Sequence, residues 1–308
     1  MSGSPRVSGR PRRRPAGPAG RAAAPYALAV AIERAAQLDP VGDALTKAIR
    51  TALPAGAPKD LLSGTWLGHA LHPILTDLPI GAWTSSLVLD WVGGARARPA
   101  ADTLLAVGIL TAVPASLTGA ADWGDTQPKE RRVGLAHAVA NTLALALFSG
   151  SLVARRRGRR LRGRVLSLAG AGALGAGGYL GGHLVFARGL GVDRTAFESR
   201  PADWTDAAAD ADVLDGQPIG VRVDGVGIVI TRHDGDLHAL ADRCTHRGAP
   251  LHQGLQRDGC IVCPWHQSIF RLADGAIVQG PATTPAPSYD VRVRDGRIEV
   301  RVPPEEVD

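Results

Sequence analysis

Apolar residues follow two different rhythms along this chain. Between Thr103 and Ala187 they form long runs, and Thr103–Ala121, Val133–Ala154 and Val165–Ala187 contain no Asp, Glu, Lys or Arg. Each approaches or exceeds the ~20 residues that a helix needs to cross a bilayer. A fourth run, Ile74–Gly93, carries Asp77 and Asp90 and has Pro73 and Pro79 near its start. The four runs predict four transmembrane helices. From Pro201 onward short strand-like runs take over: Ile219–Val223, Gly227–Thr231, Leu237–Ala241, Cys260–Pro264, Ile269–Leu272, Tyr289–Arg294 and Arg297–Val302. Asp224-Gly225, Asp234-Gly235, Asp258-Gly259, Asp274-Gly275 and Asp295-Gly296 fall beside or between them. Asp-Gly between apolar runs is a strong hairpin signal. The expected fold is therefore multidomain: an α-helical four-helix transmembrane domain followed by an all-β domain.

The length of 308 residues agrees with two domains at about 150 residues each. Four stretches are expected: 1–60, a basic Pro/Gly/Ala-rich arm with a short amphipathic helix; 61–190, the membrane domain; 191–202, a linker; and 203–308, the all-β domain. Average composition excludes a collagen, a coiled coil and a disulfide-rich miniprotein. The net charge of +6 comes largely from Arg6–Arg21 and from the Arg155–Arg164 cluster. The second cluster sits between two apolar runs, where membrane topology explains it, and no recognition motif accompanies either, so no nucleic-acid partner is expected. Three cysteines are too few for a disulfide framework.

Lys and Arg in short loops orient membrane helices. Arg96 and Arg98 follow the first run and seven Arg follow the third. This places those loops in the cytoplasm and the C-terminal domain outside, in a multi-pass protein of the cell membrane. The Gly170-Ala-Gly172-Ala-Leu-Gly175 stretch matches a dinucleotide-binding pattern but lies inside an apolar run, so it reads as a helix-packing face. In either orientation His69, His72, His137 and His183 fall at helix ends on one membrane side, the side from which the C-terminal domain emerges. Ionisable groups at membrane depth mark functional sites. Interfacial histidines that bond their neighbours are one reading; a site for haem b, a metal ion or a quinone head is the other. The segment Gly64-Thr-Trp-Leu-Gly-His-Ala-Leu-His-Pro-Ile-Leu-Thr-Asp-Leu-Pro-Ile-Gly-Ala-Trp83, with Gly181–Phe186 and Gly189-Leu-Gly-Val192, resembles the bacterial DUF2231 family of four-helix membrane domains over residues 60–192. That resemblance carries no activity with it.

In the second half, Cys244-Thr-His246-Arg-Gly and Cys263-Pro-Trp-His266 each offer one thiolate and one imidazole. Two such pairs on neighbouring loops suit a [2Fe–2S] cluster with both Cys on one iron and both His on the other, which raises the potential above that of an all-thiolate cluster. Tetrahedral zinc also accepts two Cys and two His, although its usual C-x₂₋₄-C spacing is missing. This part of the chain resembles the Rieske family over residues 203–303. The resemblance implies Cys244, His246, Cys263 and His266 as ligands, with His246 and His266 as the exposed contact edge. Ala249 and Trp265 stand where quinol-oxidising members carry a disulfide, which points to the ferredoxin-type subclass. Ser268 matches a serine that hydrogen-bonds a cluster sulfide, Phe270 replaces a tyrosine, and Gln267 replaces a usual glycine. Cys260 reads as a buried strand residue.

The expected function is one-electron transfer by a membrane-anchored Rieske protein, exchanging with a quinone, a haem or a soluble redox protein. The alternatives are the electron-supplying component of an oxygenase system and a non-catalytic membrane redox sensor. A ring-hydroxylating oxygenase would need a 2-His-1-carboxylate iron site, and no His follows His266.

Overall fold

A computed structural model describes residues 23–303 of the chain; the basic arm Arg6–Arg21 lies outside the described residues. Two helices, α1 (Ala24–Arg34) and α2 (Asp39–Ala52), precede a short α3 (Ala57–Ser63). They replace the single amphipathic helix expected there. Side chains tie them to the bundle: Arg132 bonds both carboxylate oxygens of Asp39 at 2.6 Å, and His183 Nε2 lies 2.8 Å from Glu33 Oε1.

The long apolar runs form α4 (Leu71–Val92), α5 (Arg98–Trp123), α6 (Pro128–Arg156) and α7 (Arg160–Gly182), the last continuing as a π-helical turn over His183–Ala187. Leu110, Val113, Leu117, Leu143 and Leu168 stay exposed on their outer faces. Three segments, Arg98–Trp123, Pro128–Arg156 and Arg160–Ala187, are long and apolar enough to cross a membrane. The fourth bundle helix, α4, is not among them. It carries Asp77 and Asp90, and Asp90 is buried in an ion pair with Arg155 from α6. Inside the bundle Trp83 stacks on Phe148 with ring centroids 4.4 Å apart. Gly108 makes this possible, since a Cβ there would lie 2.4 Å from the Trp83 indole nitrogen.

The C-terminal half is built of β1 (Thr205–Ala209), β2 (Ile219–Val223), β3 (Val226–His233), β4 (Asp236–Ala241), β5 (Leu255–Arg257), β6 (Cys260–Val262), β7 (Ile269–Arg271), β8 (Ile277–Gln279), β9 (Ser288–Arg294) and β10 (Arg297–Arg301). The strands form a six-stranded antiparallel sheet, ordered β1-β10-β9-β4-β3-β2, and a four-stranded one, ordered β5-β6-β7-β8. Four of the Asp-Gly pairs have positive φ at both residues, as type I′ hairpins require. Asp274-Gly275 differs, with positive φ at Gly275 alone. The strand runs expected from alternation are present, whereas β1, β5 and β8 were not foreseen. Three-residue strands are too short to show a period, and β1 reads Thr-Asp-Ala-Ala-Ala.

Candidate functional site

The Cys244–Gly248 loop follows β4 and closes on itself: Cys244 N–H donates to Ala249 O, and Gly248 N–H donates to Cys244 O, both at 2.8 Å. The Cys263–Ser268 loop joins β6 to β7, with Cys263 N–H donating to Ser268 O at 2.8 Å and Gln267 N–H to Cys263 O at 3.2 Å. Gln267 has φ +63°, the left-handed region that favours glycine, so a side chain sits in a strained position at that departure from the Rieske pattern. Ser268 is fully buried, and its Oγ accepts the Ala282 N–H at 3.0 Å. That bond ties the second loop to a third, Gly280–Thr284.

The loops bring the four Cys and His together as two matched pairs. Cys244 and Cys263 are both buried. The neighbouring Cys263 thiol and burial push the Cys244 thiol up, while the Cys244 thiol lowers Cys263 to about 7. The His246 and His266 rings stand edge to face, with centroids 5.0 Å apart. Burial drives His246 well below the usual histidine range and His266 to about 4, so both imidazoles keep a free lone pair at neutral pH. Both Nδ1 atoms are buried without a hydrogen-bond partner. Buried polar atoms are nearly always satisfied, so two orphaned lone pairs beside two buried thiols fit a bound metal group. Among the described residues no three His, Cys, Asp or Glu converge as closely as a single ion needs. Separate thiol and imidazole pairs suit a two-iron cluster better than a tetrahedral zinc ion. Cys260 lies apart, half-buried in β6.

The histidine edge is covered, not free. His246 Nε2 lies 3.8 Å from Oδ2 of Asp125, in the turn between α5 and α6. Lys59 of α3 pairs with Asp125 Oδ1 at 2.6 Å. Arg247, next to His246, is ion-paired with Glu130 in the first turn of α6. This corrects the expectation that His246 forms an exposed contact edge, because charges from the helical half occupy it. Nothing in the spacing of Asp125 and Glu130 along the chain links them to positions more than a hundred residues later.

The four membrane histidines do not converge. His72 and His137 adjoin, with ring centroids 6.4 Å apart. Their Nδ1 atoms bond the carbonyls of Ala115 at 2.9 Å and Gly177 at 2.8 Å on neighbouring helices. His183 faces Glu33 instead, and His69 is exposed on the surface.

Two known families match separate parts of this chain. The Rieske [2Fe-2S] domain family matches residues 203–290, and the predicted-membrane-protein family DUF2231 matches residues 68–194. The anthranilate 1,2-dioxygenase ferredoxin subunit of Burkholderia cepacia is 32% identical over 105 residues, 34% of this chain and 97% of that protein. The 3-phenylpropionate/cinnamic acid dioxygenase ferredoxin subunit of Photorhabdus laumondii is 38% identical over 80 residues, covering 26% of this chain and 76% of that protein. A solved structure, the ferredoxin of carbazole 1,9a-dioxygenase from Nocardioides aromaticivorans IC177, is 27% identical, covers 33% of this chain and 100% of its own, and superposes with a TM-score of 0.32. With paired thiols and imidazoles on neighbouring loops and a ferredoxin relative matched over nearly its whole length, the chain belongs to the Rieske [2Fe-2S] family, and the residues before its Rieske domain match the predicted-membrane-protein family DUF2231.

Proposed function

We propose that Cys244, His246, Cys263 and His266 hold the [2Fe–2S] cluster of this electron-transfer Rieske protein, and that the helical half anchors it in the lipid bilayer. The observation that carries the assignment is the pair of buried, unpartnered Nδ1 atoms beside the buried thiol pair. When bound, the cluster accepts and releases one electron. The chain's own residues do the rest: the thiols shed their protons to bind, the two loops fix the donors, and the helical half keeps water from the His246 edge. Ser268 keeps its hydroxyl hydrogen free to donate toward the site while its Oγ holds Ala282. Reduction with dithionite followed by electron paramagnetic resonance tests the ligand set. The low average g-value of a His-ligated cluster supports it, and a spectrum without that signature overturns it.

The fitting partner is a redox protein, since the relatives are ferredoxin components of dioxygenase systems; the chain would then supply electrons to an oxygenase. A quinone or a haem is the alternative. For either one in the helical half, only His72 and His137 adjoin. Their Nδ1 bonds to carbonyls leave Nε2 as the remaining nitrogen, as in ligating histidines; that of His137 lies 3.2 Å from the Asn141 amide nitrogen, which a ligand would displace. Reduced-minus-oxidised optical spectra decide: b-type bands establish haem, and their absence leaves that half an anchor. For topology we retain the Arg-rich loop in the cytoplasm and the Rieske half outside, tested by labelling of single introduced cysteines in intact cells.

A further inference from the structure

One carboxylate of the helical half is built toward the proposed cluster. Asp125 is 3% exposed in its side chain, and its two oxygens face different groups. Oδ1 is held by the equally buried Lys59 Nζ at 2.6 Å. Oδ2 is buried with no hydrogen-bond partner, and His246 Nε2 lies 3.8 Å away. Nδ1, on the other edge of the same imidazole, is buried and orphaned as well. An unsatisfied buried carboxylate oxygen is costly, and so is an unsatisfied buried imidazole nitrogen. One arrangement satisfies both atoms: Nδ1 on iron, and Nε2–H donating to Asp125 Oδ2.

We infer that Asp125 is a positioning residue for the Rieske cluster, accepting the Nε2–H of His246 and so orienting an iron ligand from the other domain. This rests on the ligand assignment above. An imidazole that donates to a carboxylate is a more basic ligand, and added electron density stabilises the oxidised cluster and lowers its reduction potential. Lys59 holds the carboxylate in place and moderates its charge. The ion pair between Arg247 and Glu130 fastens the His246 loop to the same turn of the helical half. The potential of the cluster is thus coupled to whether the two halves are docked, because the carboxylate reaches His246 only in the docked state.

The test is a redox titration of the full-length, cluster-loaded protein in detergent, followed by the electron paramagnetic resonance signal. Asp125→Asn shifts the midpoint upward, by about a tenfold loss of preference for the oxidised form, ~59 mV for a one-electron couple. Because that variant leaves Lys59 buried without its partner, the double variant Lys59→Met/Asp125→Asn is titrated beside it and shifts in the same direction. Glu130→Gln approaches the contact from another residue. Gln at the third helical position preserves the capping box with Gln127 but releases Arg247, and the midpoint again rises. Asp206→Asn, which breaks an exposed pair on β1, leaves the midpoint where it was. A His-ligated signal with unchanged midpoints in these variants overturns the role of Asp125 and leaves the ligand assignment standing. Wild-type protein lacking that signal overturns the ligand assignment instead. If Asp125→Asn takes up no cluster, Glu130→Gln decides by the same reading.

Discussion

Arg247 of the β half and Glu130 of the helical half form an ion pair whose side chains are only 2% and 6% exposed. Glu130 also accepts the Gln127 N–H at 3.0 Å, so one carboxylate caps α6 and latches the second domain. Lys59 with Asp125 lies beside it, also buried. A Cβ on Gly280, in the third loop, would lie 2.1 Å from Thr65 Oγ1, so backbone meets side chain there without a gap. The Cys/His loop end of the Rieske domain is seated on the helical half. A redox protein acting on the proposed cluster would reach it from another side, or after this contact opens.

Breaking a buried ion pair by removing one member costs about 3–5 kcal/mol. Arg247→Met, which strands Glu130, is therefore expected to loosen the docking of the two halves. Limited proteolysis of the segment 191–202 should accelerate severalfold over wild type. Unchanged cleavage would show that the pair does not hold the interface.

Iron removal is expected to loosen the β half itself. Cys244 and Cys263 belong to the buried cluster around Ile261, Phe270 and Leu272, and metal binding in such sites is part of the folding free energy. Chelation under reducing conditions should lower the melting transition of the β half by several degrees while the helical signal persists. Cys263→Ser should show the same lowered transition without chelator, together with loss of the visible absorbance.

At the far end of the bundle Arg155 pairs with Asp90, with side chains 0% and 2% exposed, and reaches Asp102 at 3.2 Å. Arg155→Leu leaves the buried Asp90 carboxylate with Arg164 alone, 3.8 Å away, and should cost about 3–5 kcal/mol. The double variant Asp90→Leu/Arg155→Leu should recover much of that loss, because no charge is left unpaired. Thermal unfolding in detergent measures both, and a double variant no better than the single one would contradict this account.

The fork of Arg132 on Asp39 gives an acid-sensitive link between α2 and α6. Its hydrogen bonds hold the Asp39 carboxyl below the usual carboxylate range. A lowered folded-state value means the stabilisation is complete above that range and is lost as pH falls through the lowered value. Amide hydrogen exchange in α1 and α2 should accelerate as pH falls below 4, after correction for the intrinsic rate. In Asp39→Asn the corrected exchange should be faster already at neutral pH and change less on acidification.

Much of this molecule was legible in one dimension. Long runs without charge declare helices suited to a bilayer, because each residue adds a fixed rise and lipid offers no partner for an exposed backbone. Asp-Gly pairs declare hairpins, because both residues tolerate positive φ. The Cys-x-His and Cys-x-x-His spacings declare the chemistry, because each pair lies within one loop. What the sequence by itself determined about this protein is therefore local: the two domain types, the long apolar helices, and a Cys and a His within each of two loops. Only the tertiary structure decided which charges meet. Glu130 and Arg247 are 117 positions apart, Asp90 and Arg155 65 apart, and no period or spacing encodes such pairs. Folding also sorted the membrane histidines, joining His72 to His137 and turning His183 to Glu33, because ring contacts depend on how helices pack. The same packing set Asp125 against His246, and so turned an edge that sequence left open into an interface between the two halves.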